Sequence, residues 1–229
     1  MGTLHRAGIV ATAVILTSLL APPAAQANVG LLPGTPLIIR GAGECSLGFL
    51  ASNDAGDRLA VTAGHCATDT GQEVVSEKGN PIGRVVSWLT DDMDNNLFGI
   101  TLIKLSKNTY TADAYFTTFG NPSVGDYVKK YGERTAKTEG KITKISVDPD
   151  SARHARMEST LVNLPGDSGS AWVGTGDDGG PMLLGLNIGF TKRADGGYGF
   201  AVGYPIRQLV ELVRNGSEKW GPGFIPVGP

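Results

Sequence analysis

Apolar residues along this chain come in short runs, each closed by Gly, Asp, Asn or Pro within a few positions. Runs of this length and β-branched content predict strands at Ser46 to Ala51, Arg58 to Thr62, Ile82 to Trp88, Ile100 to Leu105 and Tyr127 to Tyr131. Further strands are expected at Lys141 to Val147, Met157 to Val162, Ala171 to Val173, Leu183 to Ile188 and Gly199 to Val202. Their density favours an all-β barrel or sandwich over an alternating α/β arrangement. Ser52 to Asp57 reads as a polar turn, Gly174 to Gly180 as a glycine-rich connection, and the polar run Asp148 to Arg156 as a solvated loop. The period changes near the end. Pro205 can open a helix, Ile206, Leu209, Val210 and Val213 share one face, and Asn215-Gly216 can stop it. Trp220 to Pro229 is rich in Gly and Pro and reads as an irregular tail.

Residues 1–27 depart from this pattern. A short head with His5 and Arg6, an apolar stretch from Ala7 to Leu20 and a small-residue end at Ala25-Gln26-Ala27 form the layout of a cleaved secretory leader. The stretch is shorter than the roughly 20 residues of a membrane span, so no lasting membrane insertion is expected. The remaining 202 residues suffice for one large all-β unit or two packed lobes. A division near Phe119 to Gly125 gives an N-terminal lobe over 28–119 and a C-terminal lobe over 120–229. Without Arg6 the chain has 19 basic and 22 acidic residues, a net charge of -3, and Lys129-Lys130 and Lys192-Arg193 are too brief to track a phosphate backbone. Nucleic acid is therefore not an expected partner. Cys45 and Cys66 are the two cysteines. After export, one disulfide is their simplest use, with buried free thiols as the alternative. Neither a Cys/His cluster with metal-ligand spacing nor a glycine-rich phosphate loop is present, so no cofactor or metal is expected.

Two segments carry candidate chemistry. Pro165-Gly166-Asp167-Ser168-Gly169-Ser170 places a serine between small residues just past an apolar run, and Thr62-Ala63-Gly64-His65-Cys66 supplies a histidine after an apolar strand. A serine hydroxyl becomes an effective nucleophile when a base takes its proton, and His65 is the candidate base. Attack on an amide or ester carbonyl creates an oxyanion that the N–H groups of Gly166 and Ser168 could receive. Asp167 is expected to pair with a buried amine or local donor. His154 lies in the polar run and is expected in a solvated loop.

Through TAGHC at Thr62 to Cys66 and PGDSGS at Pro165 to Ser170, the chain resembles the trypsin/chymotrypsin-like serine proteases. Cys45-Ser46-Leu47-Gly48-Phe49 and the 103-residue spacing of His65 and Ser168 fit the small secreted bacterial, streptogrisin-like branch. The resemblance covers Ile38 to Val213. It implies two six-stranded β-barrels with a cleft between them and a C-terminal helix, a Cys45–Cys66 disulfide, His65 as base then acid, Ser168 as acylated nucleophile, and a peptide or protein substrate. It also implies an aspartate just before the strand Ile100 to Leu105, where this chain has Gly99. Asp91, Asp92 and Asp94 lie upstream, either as a solvated acidic turn or, with a shifted backbone, as a source of the missing carboxylate. Asn187 is a further candidate to orient the ring. A serine that supports the acid in relatives is replaced by Ile188, Leu164 stands where a second disulfide would begin, and Ser170 replaces a glycine. By the same match Val162 falls at the base of the substrate pocket, with Ile188, Gly189 and Phe190 along its wall, implying an apolar preference. Asn28 to Glu44 is too short for a large folding pro-region. The leading expectation is a secreted endopeptidase working by acyl transfer, slowed if position 99 leaves the acid missing. The alternative is a catalytically impaired homologue that binds peptides in the same cleft.

Overall fold

The computed structural model describes residues 27–111 and 115–226, together with Gly2; the leader expected over residues 1–27 lies almost wholly outside them. In chain order the strands are β1 (Val29–Gly30), β2 (Pro36–Ile39), β3 (Gly43–Ser46), β4 (Phe49–Ala51), β5 (Leu59–Ala63), β6 (Glu73–Val75), β7 (Pro81–Leu89), β8 (Ile100–Leu105) and β9 (Thr109–Tyr110). Then follow β10 (Thr118–Phe119), β11 (Tyr127–Gly132), β12 (Ala136–Asp148), β13 (Ser151–Ser159), β14 (Ala171–Thr175), β15 (Pro181–Lys192) and β16 (Tyr198–Pro205), and the helix α1 (Ile206–Gly216).

Two curled sheets of seven strands carry the architecture, in the orders β3-β2-β6-β7-β8-β5-β4 and β10-β15-β14-β11-β12-β13-β16. The expected six-stranded barrels are contained in these counts. In the first sheet the two edges, β3 and β4, are successive parts of one run broken only at Leu47-Gly48, so six chain passes close the sheet on itself. In the second, β15 pairs with β16 to close β11 through β16, and the two-residue β10 lies outside as a parallel addition. Since β10 already belongs to the second sheet, the chain crosses between barrels before the boundary expected at 119–120.

Alternation made most strands legible. Inward Val128, Lys130 and Gly132 alternate with more exposed neighbours in β11, and β5 is buried throughout. The polar run Asp148 to Arg156 is not a loop: it forms the turn and first half of the β12–β13 hairpin, with His154 exposed on β13. Its strands are held by ladder hydrogen bonds rather than by an apolar face, which is why hydrophobic periodicity misses them. The helix follows Pro205 and buries Ile206, Leu209, Val210 and Val213. The described part of the tail, residues 220–226, packs against the first barrel. Phe224 and Trp220 are buried, and Ser52 and Ile225 exchange backbone hydrogen bonds at 3.1 and 2.9 Å.

Candidate active site

Two consecutive turns shape the segment around Ser168. The Asp167 N–H donates to the Leu164 carbonyl at 3.1 Å, with Pro165 second and Gly166 third in the turn. That order suits a turn with positive φ at its third residue, and Gly166 has φ +105°. The Ser170 N–H then donates to the Asp167 carbonyl at 3.1 Å, with Gly169 third at φ +83°. Ser168 thus stands between two glycine-dependent turns, part-buried at the surface. Among the described residues, the N–H groups of Gly166 and Ser168 donate to no protein acceptor.

Beneath the turns lies a buried ion pair. Lys130 Nζ donates to Asp167 Oδ2 at 2.8 Å, and both side chains are 0% exposed. Asp167 also accepts from the N–H groups of Leu164, Arg134 and Thr135 and from the Thr135 hydroxyl, at 2.8–3.0 Å. Burial pushes the Asp167 carboxyl up, but hydrogen bonds from Lys130, Leu164 and Thr135 outweigh it and hold the group below its ordinary range. Burial likewise pushes Lys130 down, against the opposing pull of Asp167. The expectation of an amine partner for Asp167 is met by Lys130, whose place is visible in sequence as the polar member of an inward-facing set. Gly132 keeps the space open, since a Cβ there would collide with the Asp167 carboxylate.

The nucleophile turn rests on the first barrel at the break between β3 and β4. The Ser46 N–H donates to the Ser168 carbonyl at 2.8 Å, and the Ser46 hydroxyl donates to the Gly166 carbonyl at 3.0 Å. Gly169 packs against the end of β5 so closely that a Cβ would collide with the Thr62 hydroxyl and lie 3.0 Å from the Ala63 nitrogen. His65 follows two residues later, in the short 3₁₀ turn Gly64–Cys66. The Cys45–Cys66 disulfide closes this turn onto β3. Both sulfurs are thereby bonded to each other, which removes them as ligands although they lie within 4.8 Å of a His65 ring nitrogen.

The carboxylate beside His65 comes from Asp91. Its Oδ2 lies 2.5 Å from His65 Nδ1 and accepts the His65 backbone N–H at 3.0 Å; its Oδ1 accepts the Gly99 N–H at 2.5 Å. Its side chain is 1% exposed, against 38% for the imidazole. Gly99 leaves room for this delivery, because a Cβ there would collide with the Leu89 carbonyl and sit within 2.6 Å of Thr90 backbone atoms. Gly64 leaves room too, as a Cβ would fall 2.9 Å from Asp91 Oδ1. The position that lacks the acid is thus the position over which the neighbouring chain passes to supply one.

The other candidates lie elsewhere. Asp92 caps its own loop, accepting from Asn95 N–H at 3.1 Å and Nδ2 at 2.8 Å, and those bonds hold its carboxyl low. Asp94 is exposed. Asn187 is fully buried and braces the nucleophile turn, not the imidazole: its Nδ2 donates to the Asp167 carbonyl at 3.1 Å and Asn163 Oδ1 at 2.8 Å, and its Oδ1 accepts from Trp172 Nε1 at 3.2 Å. Val162, at 57% exposed, does not form an enclosed pocket base, and Ile188 is buried in the core. Gly189 and Phe190 are part-buried, with Phe190 edge-on to Tyr198 at 4.4 Å between ring centroids. Asn163, which the sequence reading missed, donates to the Gly189 carbonyl at 2.6 Å. No signal in composition or spacing marks it.

Comparison with known proteins bears on the fold and on the class of chemistry. No family model matches the chain. Glutamyl endopeptidase 2 of Streptomyces griseus is 28% identical over 189 residues, covering 77% of this chain and 94% of that protein. Serine protease 2 of Streptomyces fradiae is 26% identical over 174 residues, covering 68% and 92%. The chain is similar in sequence and fold to chymotrypsin-like serine proteases. Among solved structures, Nocardiopsis protease aligns with TM-score 0.61 at 19% identity, covering 80% of this chain and 96% of its own. A glutamic acid specific serine protease aligns with TM-score 0.62 at 22% identity, covering 80% and 97%. At these identities the structural likeness speaks for the two-barrel fold, and the curated relatives tie the chain to serine protease chemistry.

Proposed function

We propose that this serine protease homologue is an exported endopeptidase, with Ser168 as nucleophile, His65 as general base and acid, and Asp91 as the carboxylate that orients and stabilises the imidazole. The observation that carries the reading is the buried Asp91 carboxylate on His65 Nδ1, braced from the other side by the Gly99 N–H. A carboxylate there fixes the tautomer with Nε2 free to accept a proton and stabilises the imidazolium once it forms.

In acylation, Ser168 Oγ attacks the scissile carbonyl carbon as His65 Nε2 takes its proton. The resulting oxyanion is received by the N–H groups of Gly166 and Ser168, which donate to no protein acceptor among the described residues. Nε2 then delivers its proton to the leaving nitrogen, the C–N bond breaks, and an acyl ester remains on Ser168. Water repeats the sequence with His65 as base, releasing the acid product and the serine. The Lys130–Asp167 pair holds the oxyanion turn from within the chain, so this reading requires no newly cut N-terminal amine to order it.

An apolar residue before the cleaved bond suits the site. The Phe190–Tyr198 aromatic pair offers an apolar surface, and the neighbouring Asn163 and Asn187 amides are already engaged. A charged side chain gains no free amide partner there, whereas an apolar one gains contact with the aromatic pair. One relative is named a glutamyl endopeptidase, which makes Glu the informative competitor. In a peptide panel varied at this position, Leu or Phe is expected to turn over fastest; fastest turnover of Glu, Lys or Arg overturns the preference. Export is supported by the leader-like composition of residues 1–27 and by the disulfide, which suits an oxidising compartment.

The serine itself is tested by fluorophosphonate labelling. Native protein is expected to label and Ser168→Ala not. Equal background signal from both rejects an activated nucleophile and leaves a peptide-binding homologue.

A further inference from the structure

Asp91 stands in the loop between β7 and β8, outside either strand, so its carboxylate is only as well placed as that loop. Hydrogen bonds from His65 and Gly99 fix the side chain. The backbone on either side is gripped from the other barrel, by Arg153 on β13. Arg153 Nη2 donates to the Thr90 carbonyl at 2.8 Å and Nε donates to the Phe98 carbonyl at 3.1 Å. The Phe98 N–H in turn donates to the Arg153 carbonyl at 3.0 Å. Thr90 immediately precedes the acid, and Phe98 immediately precedes the glycine whose N–H holds it. One residue therefore clamps both arms of the loop at the level of Asp91. Arg156 reaches the same loop two residues before Phe98, donating to Asn96 Oδ1 at 3.1 Å, a side-chain contact that touches neither of the clamped carbonyls.

We infer that Arg153 is a positioning residue for the catalytic acid: from the barrel that carries Ser168, it holds the two arms of the loop that deliver Asp91 to His65 in the other barrel. This rests on the reading of Asp91 given above. The guanidinium suits the task, because its planar fork presents two N–H groups to two carbonyls in fixed relative geometry, which a lysine ammonium cannot reproduce. Through this clamp, docking of the two barrels aligns the acid with the base as well as the base with the nucleophile.

A double-mutant cycle separates this role from a general structural one. Arg153→Met keeps the aliphatic bulk and removes the donors. It is expected to lower kcat on a peptide ester by about 10²-fold, the scale of an ångström-level misplacement, with KM changed by less than about twofold. Arg153→Lys should fall between it and the native protein. In an Asp91→Ala background the same Arg153→Met change should cost less than about twofold, because the group through which Arg153 acts is already gone. Asn96→Gly, which removes the Arg156 contact at a residue whose φ of +53° glycine adopts freely, should stay within about twofold of native.

Native-like rates for Arg153→Met, or an equal loss in the native and Asp91→Ala backgrounds, would overturn the inference. If thermal melting shows Arg153→Met to be unfolded, the cycle is run with Arg153→Lys, and the same additive outcome would overturn it. Fluorophosphonate reactivity keeps the two readings apart. A native protein that fails to label removes the reading of the site together with this inference, whereas native labelling unchanged in Arg153→Met removes the inference alone.

Discussion

A side chain at position 99 has nowhere to go, and this decides how the site must be read at the scale of single residues. The resemblance implies an acid just before the strand that is β8; in this chain the Leu89–Thr90 backbone occupies that space and the Asp91 carboxylate is held by the Gly99 N–H. Restoring the family residue should therefore do harm. Gly99→Asp is expected to lower kcat/KM and the melting temperature together, overpacking of this kind costing about 1–3 kcal/mol; a gain in activity would show that the backbone can yield and that Asp91 is dispensable. The sequence offered Asp91, Asp92 and Asp94 without distinguishing them, because which carboxylate turns inward depends on loop closure by the Asp92–Leu97 bridge, a tertiary detail with no periodic signature. His65 and Ser168 were legible because both sit in short motifs whose neighbouring small residues have local steric reasons. Asn187 was misassigned for the converse reason: a buried amide near the site can brace either partner, and this one braces the nucleophile turn.

At the scale of elements, the turn that presents Ser168 is held by an ion pair, and removing one partner should be costly. Asp167→Asn leaves the buried Lys130 ammonium without its countercharge and is expected to destabilise the protein by about 3–5 kcal/mol, measured by denaturant unfolding. The double variant Lys130→Met, Asp167→Asn should recover part of that loss; no recovery would contradict the pairing. The pH dependence follows from the sign of the shift. The folded-state carboxyl of Asp167 lies below the ordinary carboxylate range, so its stabilising contribution is complete above that range and is lost as pH falls through the lower folded-state range. A melting-temperature series carried down through the carboxylate range should show this acid-side loss in the native protein and a flatter profile in Asp167→Asn. Most strands were readable from alternation, and β8 matched to the residue. The β12–β13 hairpin was readable only over Lys141 to Val147 and from Met157 onward; its polar stretches 136–140 and 151–156 were not, and neither were β2 and β6, whose few residues lie among glycines and prolines.

For the whole molecule, covalent and packing devices brace the first barrel and join it to the second, and the sequence reading caught them only in part. The Cys45–Cys66 disulfide was expected and found, closing a 21-residue separation. Replacing both cysteines by alanine should cost about 3 kcal/mol on the loop-entropy estimate, read from denaturant midpoints, and should slow catalysis by loosening the turn that carries His65. The ordered tail was not expected; its Gly/Pro-rich composition hid the buried Trp220 and Phe224 that anchor it against the first barrel. The disulfide braces the first barrel alone, whereas the tail and the Arg153 clamp fix one barrel against the other, and the site lies where they meet. The most direct test of that assembly is the second-order rate of fluorophosphonate labelling at Ser168, compared between native protein and Asp91→Asn of equal melting behaviour. A native rate higher by about 10³–10⁴-fold is expected, the scale attached to losing the orienting carboxylate. Equal rates would contradict the assignment of Asp91 as the third member of the site.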